Sequence, residues 1–214
     1  MGVAVVDSHK RFRRAYYNLF SKIYDGFVAV HSRDKKKRLR EWLVETASPK
    51  PGMRILDLCT GTGEVAALVK RKLGPGGLVV GVDFSEGMLE VAKGKCPDVE
   101  WIQADVVNLP FRDRSFDIAF CAYGFYELKD WQKLELLKEV RRVLRPKGRF
   151  FIMEHEESDD PLIKFLYRVR LATMGSFDPK GFIAKEMQII STVFKSVRKL
   201  KSSSGNSKII IAGC

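Results

Sequence analysis

Short apolar runs alternate with amphipathic segments through the middle of the chain. Three such runs cover residues 53–58, 78–82 and 116–122, and a fourth, 149–153, follows a Pro-Lys-Gly turn signal. Strand-length apolar runs separated by helical patterns are typical of βαβ units, whose parallel sheets are buried on both faces. We therefore expect the four runs to be strands of one mostly parallel sheet.

The segments between these runs carry helix signals. Residues 64–73 place apolar side chains at helical spacing and end at a Gly-Pro-Gly-Gly turn. Ser85 is a suitable N-cap for a helix over 87–93, and an amphipathic helix over 130–144 stops before Pro146. Helices after the first three runs are thus available to cover the sheet.

The two ends of the chain depart from this alternation. Residues 193–200 and 208–212 have strand patterns joined by a Ser-Ser-Gly-Asn turn, which predicts an antiparallel hairpin. Near the other end, residues 12–24 and 34–46 have helical patterns.

The fold class predicted from these elements is α/β. We expect a doubly wound, mostly parallel Rossmann-like sheet with an antiparallel C-terminal strand and a helical N-terminal extension. The extension would occupy residues 1–48, and the α/β domain would occupy residues 49–214.

Composition excludes several classes of protein. The chain has 214 residues, of which 45% are hydrophobic and 30% are charged, a profile typical of one globular domain. It has no apolar run of the roughly 20 residues that a membrane span needs, and its first 14 residues place an apolar run before the basic cluster, the reverse of a secretory signal. The four cysteines are far apart and only three histidines are present, so we expect no disulfide framework, no metal site and a cytoplasmic location.

Positive charge is concentrated at both ends of the chain. The formal net charge is +12, and residues 1–50 hold 12 Lys/Arg against 5 Asp/Glu while residues 161–214 hold 10 against 2. Basic flanks of this kind indicate an anionic partner, either a membrane surface or nucleic acid. They are equally typical of a solvated surface rich in Lys and Arg.

A glycine-rich turn follows the first predicted strand. The sequence Ile-Leu-Asp-Leu-Cys-Thr-Gly-Thr-Gly-Glu over residues 55–64 places Asp57 just before a turn that opens a helix, and Asp83 ends the next strand. This pattern also fits a dinucleotide site. However, Asp57 would repel a pyrophosphate and favour the ammonium and sulfonium groups of S-adenosylmethionine. Alternatively, Asp57 only ties down the turn by bonding its backbone.

Five motifs in order resemble those of a known enzyme class. They cover residues 55–64, 81–89, 103–111, 115–117 and 142–148. With them the chain resembles the class I S-adenosylmethionine-dependent methyltransferases. Within that class it is most similar to the group that contains the ubiquinone/menaquinone-biosynthesis C-methyltransferases and related lipid and small-molecule methyltransferases.

The resemblance implies a set of cofactor-binding residues. Asp83 would hold the ribose hydroxyls, Asp105 would accept from the adenine amino group, and Tyr24 would close over the cofactor from the N-terminal extension. The remaining implied contacts lie beside the methionine part (Asp57, Cys59, Gly61, Thr62, Gly63), beside the adenine (Phe84, Met88, Val106) and below the sulfonium (Cys121, Ala122, Tyr123).

The chain departs from the quinone methyltransferases after the fourth motif region. Those enzymes usually carry an Arg-Asn pair where this chain reads Phe125-Tyr126-Glu127. Methyl transfer needs alignment of donor and acceptor, and a base only if the acceptor must first lose a proton. The catalytic candidates are Tyr126, Glu127 and His155. Each also has an ordinary explanation: Tyr126 as an aromatic that packs in the core, Glu127 as a solvated loop acid, and His155 as part of the polar run over residues 155–160.

We therefore expect a methyltransferase that moves a methyl group from the sulfonium to a small or lipid-like acceptor by in-line displacement. The acceptor would be a quinone precursor or a phospholipid-type molecule, reached in the cytoplasm or at an anionic membrane surface. The apolar segment 162–174 would form a substrate lid, rest on a bilayer or simply cover the core. The alternatives are an RNA methyltransferase that uses the basic flanks and a partner subunit that binds cofactor without catalysis.

Overall fold

The computed structural model describes residues 14–19, 21, 38–156, 186–203 and 207–214. Seven strands, numbered here in chain order, form one sheet. They are β1 Arg54–Leu58, β2 Leu78–Asp83, β3 Glu100–Gln103, β4 Phe116–Ala122, β5 Leu144–His155, β6 Ser196–Lys201 and β7 Ser207–Gly213. The described helices of at least ten residues are α1 Arg38–Ala47, α2 Glu64–Leu73, α3 Glu86–Lys95 and α4 Asp130–Val143.

The strand order is β3-β2-β1-β4-β5-β7-β6. The pairs among β1 to β5 are parallel, whereas β7 runs antiparallel to both β5 and β6. The predicted fold class is thus confirmed, including the C-terminal hairpin. The order reverses direction between β1 and β4, and in open α/β sheets ligands bind outside the carboxyl ends of the strands at such a point.

Two apolar clusters pack on the opposite faces of the sheet. One joins alternate residues of β1 and β5 to Leu136, Leu137 and Val140 of α4. The other joins the intervening residues to α2 and to Leu43 and Val44 of α1. Because α1 lies within residues 1–48, part of the predicted extension contributes to the core of the domain; the boundary at residue 48 stays a prediction.

Strand β5 differs from its predicted extent. It begins at Leu144, where the predicted helix over 130–144 was expected to end, and it includes the Pro-Lys-Gly sequence. Lys147 in that sequence has a φ of 68°, and the pairing with β4 shifts register between Phe116 and Ile118. The Pro-Lys-Gly sequence therefore forms a β-bulge-like irregularity within one long strand and does not end it.

Of the predicted N-terminal helices, residues 14–19, 21 and 38–47 are helical, while the rest lie outside the described residues. The apolar segment 162–174 also lies outside them. None of the helices in the described ranges is long and apolar enough to cross a membrane.

Candidate functional site

The glycine-rich turn joins β1 to α2 in a conformation that few side chains tolerate. Cys59, Gly61 and Gly63 have φ values of 50°, 54° and 79°. A Cβ on Gly63 would lie 2.4 Å from the Trp101 ring and 2.9 Å from Ala92, so glycine is required there by both backbone and space. Gly63 supplies no side-chain cap to α2, so the first amides of that helix rely on groups from outside it.

Asp57 is a buried carboxyl with one oxygen committed to this turn. Its Oδ2 accepts hydrogen bonds from the Thr60 hydroxyl at 2.5 Å and the Ala66 amide at 3.2 Å. Its Oδ1 is buried and has no hydrogen-bond partner among the described residues. Burial raises the pKa of Asp57 to about 7 despite these bonds. Asp57 therefore does tie down the turn, and its second oxygen is suited to a cationic group of a ligand.

Asp83 connects the turn to the start of α3. Its Oδ2 accepts from the Gly61 amide at 2.8 Å and its Oδ1 from the Ser85 amide at 3.0 Å. Burial raises the pKa of Asp83 to about 6, and the nearby charge of Glu127 contributes to that rise. Each carboxylate oxygen can accept a further hydrogen bond, which fits the ribose hydroxyls that the sequence assigned to Asp83.

The residues predicted beside the adenine follow β2 and β3. Asp105 accepts from the Val107 amide at 3.2 Å through one oxygen. Met88 and Val106 are buried, and Phe84 is half-buried. The described structure thus offers an apolar wall with one carboxylate at its edge, and the roles of these four residues stay predictions.

Three aromatic side chains meet at the ends of β4 and β5. The rings of Tyr123 and His155 are 4.6 Å apart, and the ring of Tyr126 is 6.2 Å from that of His155. The Arg40 guanidinium lies 5.4 Å from the centre of the Tyr123 ring. His155 is therefore positioned between two tyrosines, at the edge of the sheet where the motifs converge.

The thiols of Cys59 and Cys121 are neighbours at the end of β1 and β4. A Cβ on Gly124 would lie 3.1 Å from the Cys59 sulfur and 3.5 Å from the Cys121 sulfur. The hydrogen bond that the Cys121 thiol donates to Cys59, together with burial, raises the pKa of Cys121 well above its ordinary value. Cys121 is therefore a neutral thiol that packs in the core.

Glu127 connects the turn after β4 to the N-terminal helical residues. It lies in a single 3-10 turn, Phe125–Glu127, that follows β4. Its Oε2 accepts from the Tyr17 hydroxyl at 2.5 Å and its Oε1 from the Tyr126 hydroxyl at 3.2 Å. The Glu127 carboxylate is thus held between two phenols.

The helical residues 14–19 also contact the residues that follow β2. The Asn18 side-chain oxygen accepts from the Ser85 hydroxyl at 2.7 Å and the Gly87 amide at 3.1 Å. The Tyr17 ring packs edge-on against Phe84, with centroids 5.7 Å apart. Because these contacts reach both the end of β2 and the turn after β4, this segment crosses the crevice at the carboxyl ends of the strands.

Tyr24, the tyrosine predicted to close over the cofactor, lies outside the described residues and stays a prediction. Tyr17 and Asn18 of the same predicted helix make the contacts just described, and sequence reasoning did not single them out. The adjacent aromatic and amide residues on the predicted helix 12–24 were the available signal. Arg40 was also missed; its charge opposes the rise in the pKa of Asp57. A fourth residue, Glu154, accepts from the Tyr126 amide at 3.2 Å.

Among the residues that the structure describes, the acidic side chains near the crevice do not form a metal centre with their neighbours. Within the described ranges, no group of three or more His, Cys, Asp and Glu side chains is arranged to hold a metal ion. The carboxylates that surround the crevice instead bond main-chain amides and hydroxyls.

Comparison with known proteins agrees with this geometry. The model of the ubiE/COQ5 methyltransferase family matches residues 5–206. The 2-phytyl-1,4-naphtoquinone methyltransferase of Nostoc punctiforme is 33% identical over 74% of this chain and 70% of that protein. The demethylmenaquinone methyltransferase of Lactococcus lactis is 34% identical over 84% of this chain and 72% of that protein.

Solved structures share the fold at lower identity. A methyltransferase of Aquifex aeolicus that depends on S-adenosylmethionine is 20% identical over 81% of this chain and 88% of that chain, with a TM-score of 0.64. A protein of Pyrococcus horikoshii is 22% identical over 90% and 98%, with a TM-score of 0.67. The resemblance stated from the five motifs is therefore confirmed.

We expect Asn18→Ala to loosen the segment that crosses the crevice. Losing two hydrogen bonds, together worth about 2 kcal/mol, should speed dissociation of S-adenosylhomocysteine by up to about 30-fold. Stopped-flow measurement of the dissociation rate would test this. Leu19→Ala is the matched control, because Leu19 is 83% exposed on the same segment; equal rates in Asn18→Ala and the control would contradict the assignment.

Proposed function

The chain belongs to the ubiE/COQ5 methyltransferase family, and we propose that its acceptor is the aromatic ring of a reduced quinone precursor. The enzyme is a methyltransferase whose cofactor is S-adenosylmethionine. The two relatives described above are named for naphthoquinone and menaquinone substrates. A ring of that kind is flat and mostly apolar, and it becomes a carbon nucleophile when its hydroxyl groups are present.

The observation that supports this acceptor is the aromatic and acidic composition of the crevice at the ends of β4 and β5, which we call the acceptor end. Tyr123 and His155 are half-buried there, and the buried Tyr126 ring packs edge-on against His155. Aromatic side chains pack well against flat apolar rings. Glu127, beside them, is an acceptor of hydrogen bonds from hydroxyl groups, as the two ring hydroxyls of a quinol would require.

We assign roles to the residues around the glycine-rich turn and Asp83, which we call the cofactor end of the crevice. When bound, S-adenosylmethionine supplies an electrophilic methyl group on a positively charged sulfur. Asp57 would face its cationic end and Asp83 its ribose hydroxyls, for the reasons of charge and geometry given above. The main task of the protein is then to hold the acceptor carbon in line with that methyl group and to exclude water. The helical residues 14–19 would contribute to that exclusion.

We assign the role of base to Glu127. A ring carbon attacks more readily when a hydroxyl of the ring gives up its proton, and the carboxylate of Glu127 would take that proton. Once methylated, the ring carbon would release its own hydrogen as a proton, which restores the aromatic ring. Tyr17 and Tyr126 would orient the carboxylate through their hydroxyls. His155 lies between tyrosine rings and would form the wall on which the acceptor ring rests. A carboxylate at this position replaces the Arg-Asn pair that quinone methyltransferases usually carry.

Contact with an anionic membrane surface stays part of this proposal. The edge strand β6 carries Arg198, Lys199 and Lys201, although Lys199 and Lys201 also pair with Glu156. A lipid-tailed acceptor would be delivered from such a surface. The two alternatives raised by the sequence, an RNA methyltransferase and a non-catalytic partner subunit, find no support in the two named relatives.

The proposal predicts which acceptor takes up label. With the methyl group of S-adenosylmethionine labelled, a demethylnaphthoquinol kept under reducing conditions should be methylated on carbon. The oxidised quinone should not be, because its ring is electron-poor. Product analysis by liquid chromatography and mass spectrometry would show this. Label in phospholipid or RNA, with none in the quinol, would contradict the proposed acceptor.

Removing the charge of Glu127 should affect turnover far more than cofactor binding. We expect Glu127→Gln to lower kcat by about 100-fold or more, the usual range for loss of a general base. The Kd of S-adenosylhomocysteine should change by less than about threefold, since Gln can still accept from Tyr17. His155→Phe keeps a ring in the same place and serves as the control. A larger loss of kcat in His155→Phe than in Glu127→Gln would reassign the base to His155.

A further inference from the structure

Glu154 is a buried acid that neither the sequence motifs nor the proposed mechanism uses. It is the penultimate residue of β5, and its side chain is 2% exposed. The neighbouring His155 contacts the rings of Tyr123 and Tyr126. Glu154 therefore lies in the core next to the acceptor end of the crevice, inside a run of apolar strand residues.

One oxygen of Glu154 holds the turn that carries Glu127. Its Oε1 accepts from the main-chain amide of Tyr126 at 3.2 Å. The turn Phe125–Glu127 is short, and its own hydrogen bonds are Glu127 amide to Gly124 carbonyl at 3.3 Å and Leu128 amide to Phe125 carbonyl at 3.2 Å. Because the first amides of a helical turn have no partner within it, Tyr126 depends on Glu154 for this bond.

The surroundings of Glu154 favour its uncharged form. Burial, together with the charges of Glu186 and Glu127, raises the pKa of Glu154 well above its ordinary value, although Lys208 opposes the rise. Lys208 is itself paired with Glu186 and lies near Glu156. The second oxygen of Glu154 has no hydrogen-bond partner among the described residues. Glutamine at this position keeps an oxygen for the Tyr126 amide without placing a charge in the core.

We propose that Glu154 is a positioning residue for the acceptor half of the site: its carboxyl holds the Tyr126 amide and thereby fixes the turn that presents Glu127 to the acceptor. This inference rests on the proposed function for its kinetic consequence. Its structural part, the bond to the Tyr126 amide, does not depend on any acceptor. Glu154 acts through Tyr126 and Glu127 and does not itself touch the reacting atoms.

The test compares Glu154→Gln with Glu154→Leu. Gln keeps an oxygen for the Tyr126 amide, whereas Leu fills a similar volume and removes the acceptor. Hydrogen exchange at the Tyr126 amide, followed by NMR, should speed up by at least about tenfold in Glu154→Leu and stay close to wild type in Glu154→Gln. The kcat per folded enzyme should fall at least about tenfold in Glu154→Leu only, with the Kd of S-adenosylhomocysteine within about twofold in both variants.

Glu186→Gln is the matched control. It removes a buried acid of the same cluster whose recorded partner is Lys208 and not the turn, so it should alter the free energy of unfolding and leave Tyr126 exchange unchanged. Unchanged Tyr126 exchange in Glu154→Leu would overturn the proposal whatever the acceptor is. Faster exchange with unchanged kcat would also overturn the positioning role. If the wild-type enzyme methylates no acceptor, the proposed function fails. The exchange rate of the Tyr126 amide still shows whether Glu154 holds that amide.

Discussion

Two carboxyl groups, Asp57 and Asp83, are buried side by side at the carboxyl ends of β1 and β2, and the rest of the site is arranged around them. Parallel pairing of the two strands brings both acids to one edge of the sheet. Asp57 bonds the turn, and Asp83 bonds both the turn and the start of α3. The loop that would receive the cofactor is thus held by these two carboxyls, and its own Thr60 hydroxyl donates to Asp57.

This arrangement has an energetic cost that a ligand can offset. Both acids have pKa values raised from 3.8, to about 7 and about 6. The folded chain therefore binds protons that the unfolded chain releases, and the ligand-free protein loses stability as pH rises from about 4 to about 7. A cation beside Asp57 would favour the ionised carboxyl and reverse part of that loss. Buried acids of this kind are typical of functional sites.

The two ends of the crevice differ in how closely their residues follow the family pattern. At the cofactor end, the residues follow the motifs that the chain has in common with its family. At the proposed acceptor end, the chain reads Phe125-Tyr126-Glu127 where an Arg-Asn pair was expected, and Glu127 accepts from Tyr17 and Tyr126. Under the proposed function, the chemistry specific to this chain would be decided there.

The sequence predicted what depends on local pattern and missed what depends on tertiary neighbours. The strands, the turn and Asp83 follow from apolar periodicity and glycine spacing. By contrast, Asn18 is singled out only by its hydrogen bond with Ser85, which is 67 residues away in the chain. Glu154 is singled out only by its hydrogen bond with the Tyr126 amide, which belongs to a different element. The start of β5 was also misplaced, since a Pro-Lys-Gly signal does not reveal that the strand continues through it.

Proton release on cofactor binding tests the central claim most directly. Titration of the protein with S-adenosylhomocysteine at pH 6.5, in buffers of different ionisation enthalpy, measures the protons exchanged per ligand. A positively charged amino group that settles beside Asp57 should expel the proton that this carboxyl holds there, so we predict release of about half a proton or more. The release should vanish near pH 8.5 and in Asp57→Asn. Proton uptake, or no exchange at pH 6.5, would contradict a cofactor held by these buried acids.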